Sequence, residues 1–173
     1  MEYKFRDLRA DEIEVRTALI SEKGCVLLLY KNARVDMDIL DEAVGCMNWT
    51  RSHTRDNANC IVSIWDKEKG EWISKEDTGK ESYTEKEKGL ASDSFKRACV
   101  NWGIGRELYT APFIWVKAED VNITEKQGKK TTYDKFKVEK ILIENKVIKA
   151  IAIKNVTLNK CVYLYPTFGG EKK

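Results

Sequence analysis

Residues 86–102 constrain the fold more than any other stretch of this chain. On a wheel of 100° per residue, Ala91, Phe95, Ala98, Cys99 and Trp102 fall at i, i+4, i+7, i+8 and i+11 and make one apolar stripe. A helix with one such stripe must cover it, and the strand-like segments elsewhere in the chain supply the surface. Lys96 and Arg97 then flank the direction opposite the stripe, with Val100 between them. Gly103 stops the helix and Gly105 permits a second sharp turn.

The segments around this helix alternate with period two. Residues 12–20, with Ile13, Val15 and Leu19 on one face, turn at Lys23-Gly24 into the apolar run 25–30, which predicts a hairpin. Residues 34–49 change period: Met37, Leu40, Val44 and Met47 recur at helical spacing, Asp36 or Asp38 can cap the start, and Gly45 weakens the end. Segments 49–56, 59–66 and 71–77, separated by Asp56-Asn57 and Lys69-Gly70, predict an antiparallel meander.

After the long helix, residues 107–116 look extended, with Pro112 arguing against a helix, and the polar segment 119–133 reads as a loop. Two further alternating runs, 135–143 and 147–154, precede a last strand near 160–165. The order is strands, helix, strands, long helix, strands, without βαβ alternation. This is an α+β fold: an antiparallel β-sheet meander packed by a long helix, with additional C-terminal strands. The length of 173 residues fits one domain, 1–173, with a core of about 11–116 and a β extension of about 117–173.

Composition bounds the function. No apolar run is long enough to span a membrane, and the first residues lack the apolar centre of a secretory signal. Cys25, Cys46, Cys60, Cys99 and Cys161 are odd in number, widely spaced and without a CxxC pair, which reads as buried free thiols in a reducing cytoplasm. Residues 1–125 hold 19 Lys/Arg against 24 Asp/Glu, and residues 126–173 hold 12 against 4, so the formal net charge of +3 hides a basic tail. Such a tail is compatible with a polyanionic partner, and lysine-rich coding gives the same bias.

Common catalytic signatures are missing. His53 is the single histidine, set in a strand between Arg51 and Arg55, and reads as an exposed strand residue. No HExxH, EF-hand loop or GxxxxGK[ST] occurs; residues 77–82 carry Gly79-Lys80 without the required glycine before or hydroxyl after it. No cofactor is implied. An adjacent Lys-Arg pair on a helix is ordinarily solvated charge, but an apolar Val100 between the two suggests a face that meets something.

The segment "LASDSFKRACVNWGIGRELY" resembles the signature helix of the Rad fifty-two-type single-strand annealing proteins, especially their short phage relatives: a small-residue and Asp start, a bulky apolar residue, Lys-Arg-Ala, and an aromatic-glycine close. Upstream, "ARVDMDILDEAVGCMNW" is similar to that family's Arg-led helix, which ends in Gly shortly before a Trp that opens the sheet. The resemblance runs from about residue 11 to about 116, with the tail matched only loosely.

This resemblance implies a non-enzymatic protein that anneals complementary DNA strands as an oligomeric ring or helix, with single-stranded DNA in a basic groove. Residue by residue, Lys96 and Arg97 match the Lys-Arg pair of the groove floor, and Arg34 the Arg that opens the earlier helix. Where the family often carries another basic residue, Val100 is apolar, and Arg51 and Arg55 are the candidates to replace that charge. An outer duplex-binding site would draw on Lys67 and Lys69. Implied partners are single-stranded DNA, its complement, further copies of the chain, and a phage nuclease or host single-strand binding protein, in the cytoplasm of a bacterial host. Two other classes stay open: a single-stranded DNA-binding module without annealing activity, and a carboxylate-metal enzyme acting on nucleic acid.

Overall fold

A computed structural model describes residues 3–80 and 86–166, with the backbone alone for 86–88. The elements are β1 (Glu14–Ser21), β2 (Gly24–Tyr30), α1 (Ala33–Val44), β3 (Trp49–Thr54), β4 (Asn59–Asp66), β5 (Glu71–Thr78) and α2 (Lys86–Asn101). They continue with β6 (Ile114–Lys117), β7 (Thr124–Lys126), β8 (Lys129–Thr131), β9 (Phe136–Glu144), β10 (Val147–Asn155) and β11 (Lys160–Tyr165). The chain divides into two compact units, one of Met1–Asp7 and Asn32–Arg106, the other of Leu8–Lys31 and Glu107–Lys173.

In the first unit β3, β4 and β5 form an antiparallel sheet in that order. The register places Trp49 opposite Ile64, Arg51 opposite Val62 and His53 opposite Cys60, and Ile73, Lys75 and Asp77 opposite the same three β4 residues. Paired residues share a face, so buried Cys60, Val62 and Ile64 mark the face that α2 covers. Along α2, Phe95, Ala98 and Cys99 are fully buried, as the stripe requires. Gly79, just past β5, lets the chain run close against the helix: a Cβ there would lie 2.7 Å from the Ser94 nitrogen.

Helix α1 differs from its sequence reading. Its cap is Asn32, whose side chain accepts the Arg34 N–H, while Asp36 is fully buried in the first turn. Gly45 closes the helix at φ 87°, a left-handed conformation suited to glycine. Met47 therefore falls outside the helix and is 85% exposed, and Ile39 and Leu40 supply the buried contacts.

The second unit holds a six-stranded sheet in the order β11-β10-β9-β1-β2-β6. Its two edges approach each other, with the Tyr163 hydroxyl donating to the Phe113 carbonyl at 3.1 Å, so the sheet nearly closes into a barrel. A register shift between Thr17 and Leu19 breaks the alternation expected for β1. The extra residue turns Leu19 outward, 71% exposed, and pairs Ile20 with buried Cys25.

Two segments are more ordered than the sequence suggests. Residues Arg106–Thr110 form a 3-10 turn before β6, in place of an extended run. Residues 119–133, read as a loop, contain the β7–β8 hairpin. Only Cys25, Cys60 and Cys99 are buried; Cys46 and Cys161 are exposed, because Cys46 follows the end of α1 and Cys161 opens an exposed stretch of β11.

Candidate nucleic-acid interface

The site is built on the first unit. Phe95 is held on the sheet face by Trp49, whose ring stacks at 6.1 Å and 21°, and the Trp49 indole is tied to α1 through Asp41 Oδ1 at 2.6 Å. Trp102 continues the same stripe and donates its indole N–H to the Val62 carbonyl at 3.1 Å. These contacts fix the rotation of α2. With Phe95 inward, Lys96 and Arg97 lie toward the solvent side and are part-exposed, as is Val100.

Arg51 joins this helix from β3. Its guanidinium carbon sits 4.7 Å from the centroid of the Phe95 ring, a cation–π contact that holds the fork against the helix while the residue stays exposed. Two residues along on the same face, His53 Nδ1 lies 3.4 Å from the Ser94 hydroxyl, which donates to the Asn57 carbonyl at 2.9 Å. Burial and the charge of Arg51 both lower the His53 pKa, so His53 is neutral near pH 7 and adds no cation to this edge.

Arg55 lies beyond the strand. β3 ends at Thr54, and Arg55, Asp56 and Asn57 take φ values of 52°, 51° and 68° in the turn to β4. The side chain of Arg55 is exposed there, at the end of the sheet where Ser94 bonds Asn57. Arg34 is exposed near the start of α1, and α1 packs against α2. Lys67 and Lys69 are exposed in the β4–β5 turn, where Asp66 accepts the backbone N–H groups of Glu68 and Lys69 at 2.9 and 3.2 Å.

Three charged residues near the helix escaped the sequence reading. Asp93 Oδ2 accepts from Arg97 Nε at 2.9 Å and from the Lys80 N–H at 2.8 Å. Burial works to raise the Asp93 pKa, but these hydrogen bonds and the charges of Arg97 and Lys96 outweigh it and hold the carboxyl below its ordinary value. An Asp four residues before an Arg on a helix is a readable signal. Lys75 and Arg106 meet the C-terminal end of α2: Lys75 Nζ and Arg106 Nη2 donate to the Asn101 carbonyl at 2.9 and 3.0 Å, and Arg106 Nε donates to the Val100 carbonyl at 2.8 Å. Lys75 also lies 4.6 Å from the Trp102 ring centroid. These two cations complement the helix dipole, a role set by tertiary contact and invisible in sequence spacing.

Among the described residues no group of three or more His, Cys, Asp or Glu side chains is placed to hold a metal ion. No helix among them is long and apolar enough to cross a membrane. The chemistry this surface offers is neutralisation of anionic groups: a planar Arg fork and a Lys point charge on one helix, with a second Arg laid against it.

No curated protein and no solved structure matches the chain. Arg34, Arg51 and Arg55 precede a stretch that a family model covers. That stretch, residues 57–129, includes β4, β5 and α2 with Lys96 and Arg97, and over it the chain is similar to the family described as Rad52/22 family double-strand break repair protein.

Proposed function

We propose that this chain binds single-stranded DNA and anneals complementary strands without nucleotide hydrolysis, acting as one annealing domain repeated in a ring or open helix. The observation that carries this reading is the solvent-side placement of Lys96 and Arg97 on a helix whose opposite face is pinned by Phe95 and Trp102, inside the segment similar to a DNA-repair family. Arg51, Arg55 and Arg34 extend the cationic surface, and Lys67 and Lys69 offer a second, outer DNA contact.

Annealing requires that the backbone be held and the pairing edges left free. Lys and Arg hold phosphates without reading sequence. Each subunit contributes few contacts, and assembly multiplies them, so a chain of net charge +3 can grip a polyanion. Stacking on exposed rings, as in many sequence-tolerant binders, would cover the edges that must pair; here Trp49 and Trp102 are engaged inside the unit. Pairing itself runs downhill, so no enzyme chemistry is needed. A phage or prophage setting, with a nuclease or a host single-strand binding protein as partner, belongs to the same proposal.

The test is a strand-annealing assay with two complementary oligonucleotides, with a chelator and without ATP. Acceleration well above the spontaneous rate, by a particle many times 20.0 kDa in light scattering, is the expected result. Tight single-strand binding with no acceleration would instead identify a binding module without annealing activity.

A further inference from the structure

Among the described side chains, the solvent side of α2 carries Asp93, Lys96 and Arg97. On the wheel Asp93 falls between Lys96 and Arg97, one turn before them and two turns before Val100. Its carboxylate is fixed from two directions, by Arg97 Nε at 2.9 Å and by the Lys80 N–H at 2.8 Å, both on Oδ2. Asp93 therefore cancels one of the two positive charges that Lys96 and Arg97 bring to the rim that should meet phosphates.

The Asp93–Arg97 pair is not sealed in the interior. The two side chains retain 30% and 34% of their exposure, and pairs this accessible contribute little to stability. A pair that weak can be exchanged for a better one. Nε is one of the five N–H donors of a guanidinium, and a phosphate can take two of them at once in a charge-assisted fork.

We propose that Asp93 is a built-in counter-charge for Arg97, which a phosphate of the bound strand displaces, and that it limits how tightly single-stranded DNA is held. This rests on the reading of Lys96 and Arg97 as phosphate contacts. Before DNA arrives, Asp93 keeps the guanidinium extended along the helix. Once a phosphate takes the fork, the carboxylate stands beside it as a like charge and weakens the contact. A grip held down in this way suits a protein that must let a strand shift until it finds its complement.

The test is single-strand affinity, by fluorescence anisotropy with a labelled oligothymidylate, across the full chain and its variants Asp93→Asn, Lys96→Ala, Arg97→Ala and Asp93→Asn/Arg97→Ala. Asn keeps the shape and an acceptor for the Lys80 N–H. Asp93→Asn is expected to bind about fivefold tighter at low salt, with the gain shrinking as salt screens it. In the Arg97→Ala background that gain is expected to fall below twofold, since the effect runs through Arg97. Asp93→Ser, which also removes the charge and leaves a hydroxyl acceptor, serves if the Asn variant does not fold. Equal or weaker binding by the charge-removed variant, while Lys96→Ala and Arg97→Ala lose affinity, overturns this inference alone. Unchanged binding by Lys96→Ala and Arg97→Ala overturns the phosphate-contact reading and this inference with it.

Discussion

The guanidinium of Arg51 lies over the ring of Phe95, 4.7 Å from its centroid. One residue thus belongs to the core and to the cationic surface at once: Phe95 is fully buried, yet its ring seats the exposed Arg51, and Lys96 follows it directly in sequence. Arg51→Ala is expected to weaken single-strand binding severalfold and to cost about 0.5–1 kcal/mol of stability. Arg51→Lys should recover part of the binding, since it keeps the charge and loses the planar fork. Anisotropy titration beside thermal melting separates the two effects.

Phe95→Ala should be far more damaging. It empties a fully buried site and removes the ring that stacks on Trp49, at a cost of about 3–5 kcal/mol. Chemical denaturation measures this loss. A cost below 1 kcal/mol would show that α2 is not anchored through this ring.

Acid should destabilise the fold through specific carboxyls. Burial works to raise the Asp134 pKa, but hydrogen bonds from the Asn122 N–H and from the Asn155 and Asn122 side chains outweigh it and depress the value. Asp93 is depressed likewise. For both, the unfolded chain binds the proton more readily, so their contribution is present above the ordinary carboxylate pKa of about 4 and is lost as pH falls through the lowered folded values. Stability should drop below about pH 4, and Asp134→Asn should reduce the slope in urea titrations repeated across that range.

Thiol labelling should divide the cysteines in two. Cys46 and Cys161 are exposed and Cys25, Cys60 and Cys99 buried; burial pushes the Cys25 and Cys60 thiols up to about 11, far from the reactive thiolate form at pH 7. A thiol-specific chromophore is expected to find two fast sites in the native protein and all five after denaturation.

Periodicity made much of this architecture readable. The stripe on α2 and the β3–β4–β5 meander follow from apolar spacing and turn residues, and β11 falls at the expected residues 160–165. What stayed hidden was set by contacts distant in sequence. One bulge near Ala18 reversed the facing of Leu19, and the short β7–β8 strands carry no apolar alternation. At the candidate site, Lys96 and Arg97 were legible because a helix wheel orients neighbours. Arg51 over Phe95 depends on strand pairing that no local pattern encodes, whereas the Asp93–Arg97 pair follows from i, i+4 spacing.

Under the proposed function, Lys96 and Arg97 hold the phosphates of a single strand. The most direct measurement of this is the affinity of Lys96→Ala/Arg97→Ala for an oligothymidylate over a series of salt concentrations, with circular dichroism to confirm the fold. Affinity is expected to fall at least tenfold at low salt, and the slope of log affinity against log salt to become shallower by about 1.4, at 0.7 per lost contact. A folded double variant with unchanged affinity and an unchanged slope would contradict this reading.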